Sequence, residues 1–198
     1  TTWSTSNIFT GLTPGLHTIN IKDASNCTYN ISVTIIEPPL LVASIGSITD
    51  VSCFGMSDGE ISITTNGGTP TYQYSIDGGA TWSTSNVFSG LTADLYTINI
   101  KDANNCTDDV LVTITEPALL VASIGSATDI SCYGYNDGSI SVITTGGTPA
   151  YQYSIDGATT WSTSHIFNGL TPALHTITIK DASNCLSNIT VTIIYPPI

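Results

Sequence analysis

The sequence predicts an all-β protein built of tandem immunoglobulin-like antiparallel β-sandwich modules. Each module has about seven strands, and the repeat is 79 residues long. Three observations predict this. Thr, Ile, Val, Tyr and Gly are abundant while charged residues are only 9%, which suits pleated, half-buried surfaces. Short segments alternate polar and apolar residues between turn signals, and no window has a helical period. The chain also repeats itself: Trp3, Trp82 and Trp161 are evenly spaced, as are Cys27, Cys106 and Cys185. Residues 48–119 align on 127–198 with 43 identities in 72 positions and no gap.

Module boundaries follow from the prolines. Glu37-Pro38-Pro39, Glu116-Pro117 and Tyr195-Pro196-Pro197 close each copy, where proline ends strand pairing and stiffens a short link. Residues 1–38 read as the C-terminal half of a truncated repeat. Residues 39–117 are a complete repeat, and 118–198 are a complete repeat plus two trailing residues. The half-repeat cannot close a core alone, so the sequence leads us to expect further chain upstream.

Within 39–117 the strands come in order. Leu40–Ile45 continues through Ile48–Cys53, with a break at Gly46. Gly55–Gly59 turns the chain into the alternating run Glu60–Thr65. Gly67-Gly68-Thr69-Pro70 turns it again, into Tyr72–Ile76. Asp77-Gly78-Gly79 leads to Thr81–Thr84, followed by Val87-Phe88, Leu95–Ile100 and Val110–Ile114. Seven is an odd number, and an odd number of up-and-down strands puts entry and exit at opposite ends, as a linear array needs. Tyr96 falls where such sandwiches place a tyrosine corner. His17 and His175 replace it in the other copies, and a structural role is expected for both.

Charge excludes several functions. There are three lysines, no arginine and 15 acids, for a net charge of -12. Such a chain cannot displace counterions from nucleic-acid phosphates, and an anionic membrane surface repels it. No apolar run approaches the ~18 residues of a membrane span. Residues 39–117 alone carry nine acids and one lysine, so neighbouring modules repel mildly.

Five cysteines in a low-charge repetitive β chain point to an oxidising, extracellular setting. Two pairings follow the repeat. The first expectation is a bond within each module, Cys53–Cys106 and Cys132–Cys185. The alternative is a bond between modules, Cys53–Cys185. Strand topology argues against the first, because it puts Cys53 and Cys106 at opposite ends of one module, beyond the ~7 Å reach of a disulfide, yet the within-module bond remains the first expectation.

Ser75-Ile76-Asp77-Gly78-Gly79-Ala80-Thr81-Trp82 matches the Asp-box pattern known from sialidases. It reads here as a hairpin whose Asp caps the turn. Asp108-Asp109 is a carboxylate pair in sequence only, and the third copy has Ser187-Asn188 instead. No catalytic residue is expected, and no cofactor. Recurring acids in turns make Asp58, Asp77, Asp102, Asp137, Asp156 and Asp181 the candidates for calcium, which takes six to eight oxygens. Against this, Asp before Gly is simply a good turn residue. Trp82, Trp161, Tyr133 and Tyr135 offer aromatic faces for glycan, provided they lie exposed.

Val51-Ser-Cys53-Phe-Gly55-x-x-Asp58-Gly59-x-Ile61, Gly67-Gly68-Thr69-Pro70-x-Tyr72-x-Tyr74-Ser75-Ile76, Lys101-Asp102-Ala-Asn-Asn-Cys106 and Glu116-Pro117 together resemble the SprB-type repeat of large surface adhesins in gliding Bacteroidetes. The resemblance implies export through the type IX system, display on the cell surface, and a role in adhesion and gliding motility. It carries no catalytic residues. The expected function is therefore a structural stalk or filament segment that spaces a distal adhesive tip from the cell. The alternative is a glycan-binding module. Expected partners are neighbouring repeats, like chains in a filament, and a surface glycan or substratum met through the tip. Nucleic acid and direct membrane insertion are not expected.

Overall fold

The computed structural model describes residues 3–197. Fourteen strands run through them, and no helix among these residues is long and apolar enough to cross a membrane. A hairpin comes first: β1 (Gly15–Lys22) pairs antiparallel with β2 (Thr28–Ile35). The next six strands fall within 39–117. They are β3 (Val42–Thr49), β4 (Gly59–Asn66), β5 (Gln73–Ser75), β6 (Val87–Leu91), β7 (Asp94–Lys101) and β8 (Thr107–Ile114). The last six repeat the pattern as β9 (Val121–Thr128), β10 (Gly138–Thr145), β11 (Gln152–Ser154), β12 (Ile166–Leu170), β13 (Leu174–Lys180) and β14 (Leu186–Thr192).

Each set of six makes two three-stranded antiparallel sheets, ordered β3-β4-β6 with β5-β7-β8, and β9-β10-β12 with β11-β13-β14. Their apolar faces meet. Ile61 and Ile63 of β4 pack against Ile98 and Ile100 of β7 and Val112 and Ile114 of β8. Ile140, Val142, Ile177, Ile179 and Ile193 repeat this core. Alternation along each strand sends these residues inward and the Ser and Thr outward. The two cores are separate clusters, one per module.

The expected seven strands are six strands and one bridge. Thr81–Thr84 does not become a strand. Only Ser83 pairs, with Tyr74, through reciprocal backbone bonds of 2.8 and 2.9 Å. The flanking amides are taken by side chains: Thr81 N donates to Asp77 Oδ1, and Ser85 N to Ser83 Oγ. The first strand also stays whole, because Gly46 is absorbed as a bulge between Ile45 and Ser47. A Cβ on Gly46 would lie 2.8 Å from Ser62 Oγ, so a side chain there would crowd the neighbouring strand.

Entry and exit do lie at opposite ends. β3 and β8 run side by side in the same direction, with Ala43 N on Asp108 Oδ2 (2.8 Å) at one end and Val51 N on the Thr115 carbonyl (2.9 Å) at the other. Asp50 adds a further tie, accepting from Thr115 N, and Asp129 accepts from Ile194 N in the second module. The chain thus enters a module beside the β7–β8 turn and leaves it beside the β3–β4 turn.

Candidate functional site

The feature that joins modules is a disulfide between Cys53 and Cys185, with Cα atoms 5.7 Å apart. Cys53 sits in the β3–β4 turn at the exit end of one module. Cys185 sits in the β13–β14 turn at the entry end of the next. The within-module pairs Cys53–Cys106 and Cys132–Cys185 do not form. Cys106 lies at the far end of β8 from Cys53, and eight residues of strand span about 27 Å. Cys27, Cys106 and Cys132 are free and exposed.

Both turns are built to present their cysteine. Asp181, buried, accepts from Ser183 N and Cys185 N through Oδ1 (2.9 Å each) and from Thr148 N through Oδ2 (2.7 Å). Asp181 N in turn donates to the Cys185 carbonyl, and Asn184 takes a left-handed φ of 66° to close the loop. Asp102 does the same for Cys106, accepting from Asn104 N, Cys106 N and Thr69 N. Those donors, the Thr69 amide foremost, hold the Asp102 carboxyl below the usual carboxylate range. On the other side, Asp58 accepts from Ser52 Oγ and Ser52 N and is held low by them. Met56 N donates to the Cys53 carbonyl, and Gly55 N to Glu116 Oε2 at 2.6 Å. Glu116 belongs to the link into the next module, so it ties the exit turn to the connection.

Around the bond lies an apolar cleft of about 340 Å³, lined by Phe54, Met56, Leu119, Leu120 and Leu186 beside the two cysteines. Sequence reasoning named the cysteines and missed this shelf and Glu116. The signal was present: apolar residues flanking a cysteine in a Gly-rich turn have no core to enter.

The calcium candidates are not brought together. Among the described residues no three His, Cys, Asp or Glu side chains form a metal-holding group. Asp77 accepts from Ser75 Oγ, Thr81 N and Thr81 Oγ1, and Asp156 from Ser154 Oγ, Thr160 N and Thr160 Oγ1. These donors hold both carboxyls far below the usual range, those of Thr81 leading for Asp77 and that of Ser154 for Asp156. Asp137 is held low by Ser131 in the same way as Asp58.

The aromatic candidates divide. Trp82 and Trp161 are half-buried, each with a lysine ammonium over its ring: Lys101 Nζ at 4.1 Å and Lys180 Nζ at 4.6 Å. Tyr133 and Tyr135 are exposed, and Tyr133 stacks on Tyr195 with centroids 4.7 Å apart. Tyr195 stands where Glu116 stands one repeat earlier, so the second exit turn is held by stacking instead of a hydrogen bond. Tyr96 Oη donates to the Thr92 carbonyl (3.0 Å), and His17 and His175 Nε2 reach the Thr13 and Thr171 carbonyls (2.7 and 2.8 Å). The histidines thus hold the corner that tyrosine holds in the middle copy.

These features define a class: tandem antiparallel β-sandwiches in series, with a covalent bond across the joint between the two complete modules. The SprB repeat family model matches residues 45–81 and 124–160, one segment at the same place in each complete module. Each complete module therefore contains one segment similar to the SprB repeat. Solved structures similar to this chain include the three N-terminal domains of the bacteriophage RB49 highly immunogenic outer capsid protein Hoc (13% identity, TM-score 0.43, covering 79% of this chain and 58% of that one). The C-terminal 282-residue fragment of intimin, solved with the intimin-binding domain of its translocated receptor, is 14% identical (TM-score 0.39, 75% and 64% coverage). The fibronectin(III)-like modules of Clostridium thermocellum CbhA are 13% identical (TM-score 0.36, 78% and 94% coverage). The chain thus spans less than two thirds of the first two. No curated protein matches it in sequence.

Proposed function

We propose that this chain is a stretch of the stalk of a secreted bacterial cell-surface adhesin. It spaces a distal adhesive tip from the cell and serves adhesion and gliding motility. The observation that carries the reading is the Cys53–Cys185 bond, which fixes one module to the next in a chain whose modules enter and leave at opposite ends. A stalk needs length, stiffness and resistance to pulling, and modules bonded in series suit all three. The SprB match in both modules supports a surface location, outside the reducing cytoplasm where such a bond would not persist. The test is immunogold electron microscopy of producing cells with antibody raised to residues 39–198. Label along threads projecting from the surface is expected. Label confined to the cytoplasm or to the medium would reject the stalk.

A second reading is glycan binding. Only the exposed rings of Tyr133 and Tyr135 favour it, since the tryptophan faces are covered by lysine.

A further inference from the structure

Each complete module has four outer strands, two per sheet, and an outer strand offers unpaired N–H and C=O groups to any other chain. Three of the four are covered. β3 and β8 lie side by side, with the Ala43 amide taken by Asp108 and the Val51 amide by the Thr115 carbonyl. β5 is covered by Ser83, which exchanges backbone bonds with Tyr74. That leaves β6, and β12 in the second module.

Charge and proline, which blunt many open edges, are absent from both strands. Neither Val87-Phe88-Ser89-Gly90-Leu91 nor Ile166-Phe167-Asn168-Gly169-Leu170 contains either. Val87 is 41% exposed and Ile166 47%. Uncharged, β-branched segments of this kind pair readily with their own copies. Because the modules are near-copies, each carries a matching edge.

The ladder identifies which backbone groups point off that edge. Ile63 N donates to the Asn86 carbonyl at 2.9 Å, so Asn86 and Phe88 turn their groups towards β4. Val87 and Ser89 therefore turn theirs outward. One side chain takes both groups of Val87: Ser85 Oγ accepts from Val87 N (3.2 Å) and donates to the Val87 carbonyl (3.0 Å). Ser164 does the same for Ile166, at 3.2 and 3.0 Å. Ser6 does it for Ile8 in a segment outside any strand, so the local sequence sets this bond and not the sheet. Further along, Gly90 and Gly169 take left-handed φ values of 75° and 72° where the register shifts, which ends the regular edge.

We propose that Ser85 and Ser164 close the open edge of each module, so that modules on one chain or on neighbouring chains do not add strand to strand. A strand laid along β6 meets Val87 groups that are already bonded, and must break both bonds before gaining its own. One hydroxyl suffices because the edge is short: only the outward groups of Ser89, or of Asn168, remain before the bulge. The partner excluded is another β6 or β12 edge. Lysine, a common guard of such edges, is committed elsewhere, since all three ammoniums lie over tryptophan rings.

The test replaces both hydroxyls, Ser85→Ala with Ser164→Ala, in the 198-residue chain. Free thiols are first alkylated, which leaves the Cys53–Cys185 bond in place. Sedimentation velocity across a concentration series should show monomer for the unaltered chain. Ser85→Thr with Ser164→Thr, which keeps both hydroxyls, should match it. The alanine variant should form dimers and larger species. Hydrogen exchange read by mass spectrometry should then show protection gained in β6 and β12 as concentration rises, with β4 and β7 unchanged. An alanine variant that stays folded and monomeric throughout would overturn the proposal, as would association that leaves β6 and β12 unprotected. Loss of protection in β4 and β7 would assign the hydroxyls to the fold of the module and overturn it equally. A measurement on the unaltered chain needs no variant. By NMR, the Val87 and Ile166 amides should exchange about fivefold more slowly than those of Ser89 and Asn168, the worth of one hydrogen bond. Equal rates would show that the guarding bonds do not persist, and the proposal would fall. It stands on the sheet edge and not on the stalk reading, so sedimentation and surface labelling fail independently.

Discussion

Cys53 and Cys185 have Cα atoms 5.7 Å apart although 132 positions separate them in the chain, and they belong to consecutive modules. Tension applied to the two ends therefore passes through the sulfur–sulfur bond and bypasses everything between. Most of both sandwiches lies in that bypassed loop. Pulled by its ends, the oxidised chain should release little length as force rises. Cys53→Ser, or a reductant, should free the loop and add roughly 450 Å of contour, at about 3.4 Å per residue. Single-molecule force spectroscopy measures this directly. An equal gain with and without reductant would show that the bond carries no load.

The two cores are separate, so damage to one should stay local. Ile98 is fully buried between the sheets of the first module, and Ile177 is its counterpart in the second. Ile98→Ala should cost the first module about 3 kcal/mol. Hydrogen exchange read by mass spectrometry, on reduced protein, should show faster exchange in β4 and β7 and no change in β10 and β13. An equal acceleration in both modules would mean that they fold as one unit.

The sequence carried the fold further than it carried the joint. Strand alternation around Ile61, Ile63, Ile98 and Ile100 was legible because period two needs no tertiary knowledge. Entry and exit at opposite ends followed from counting segments, even though Thr81–Thr84 forms only a bridge. That segment misled because Thr and Trp favour strands, whereas here the Asp77 carboxylate takes the Thr81 amide first. The cysteine pairing was a choice between two partners one repeat apart, and spacing alone treats them alike. Only the end-to-end placement of the turns separates them. Glu116 and the leucine shelf were illegible because their role arises between modules, where no within-module period reports them.

Five aspartates carry carboxyls held low by N–H and O–H donors: Asp58, Asp77, Asp102, Asp137 and Asp156. A carboxyl with a depressed folded pKa contributes stability that is present above its unfolded value, about 4, and is lost as pH falls towards the folded one. Thermal stability should therefore stay level from neutral pH down to about 5 and decline below about 4. Asp102→Asn, which keeps the shape but loses the charge and one acceptor, should lower Tm by roughly 5–10 °C at pH 7 and flatten the acid slope. Differential scanning calorimetry across pH 2.5–8 checks both. A Tm that rises on acidification would contradict the assignment of these donors.

The same hydrogen bonds bear on calcium. The ion needs six to eight oxygens, and the carboxylates of Asp77 and Asp156 already accept from two hydroxyls each, with one amide on Asp77 and two on Asp156. Binding would have to break those bonds first. Adding millimolar calcium, or removing it with a chelator, should shift Tm by less than about 1 °C, the scale of a few tenths of a kcal/mol. A larger, saturable shift would place the ion at these turns and extend the role of the acids beyond turn capping.

Lys101 Nζ lies 4.1 Å from the Trp82 ring centre, and this pair separates structural aromatics from available ones. A cation over a half-buried indole is worth about 1 kcal/mol, so Lys101→Met should destabilise the first module by that order. Trp82→Ala should also destabilise the module, and should leave any glycan affinity unchanged. Tyr133→Ala with Tyr135→Ala should lower any glycan affinity and leave the core intact, loosening only the exit turn where Tyr133 stacks on Tyr195. A glycan array probed with both variants distinguishes the roles: binding kept by the tyrosine double variant would put the sugar elsewhere on the module, and binding abolished by Trp82→Ala would show that the lysine gives way to a ligand.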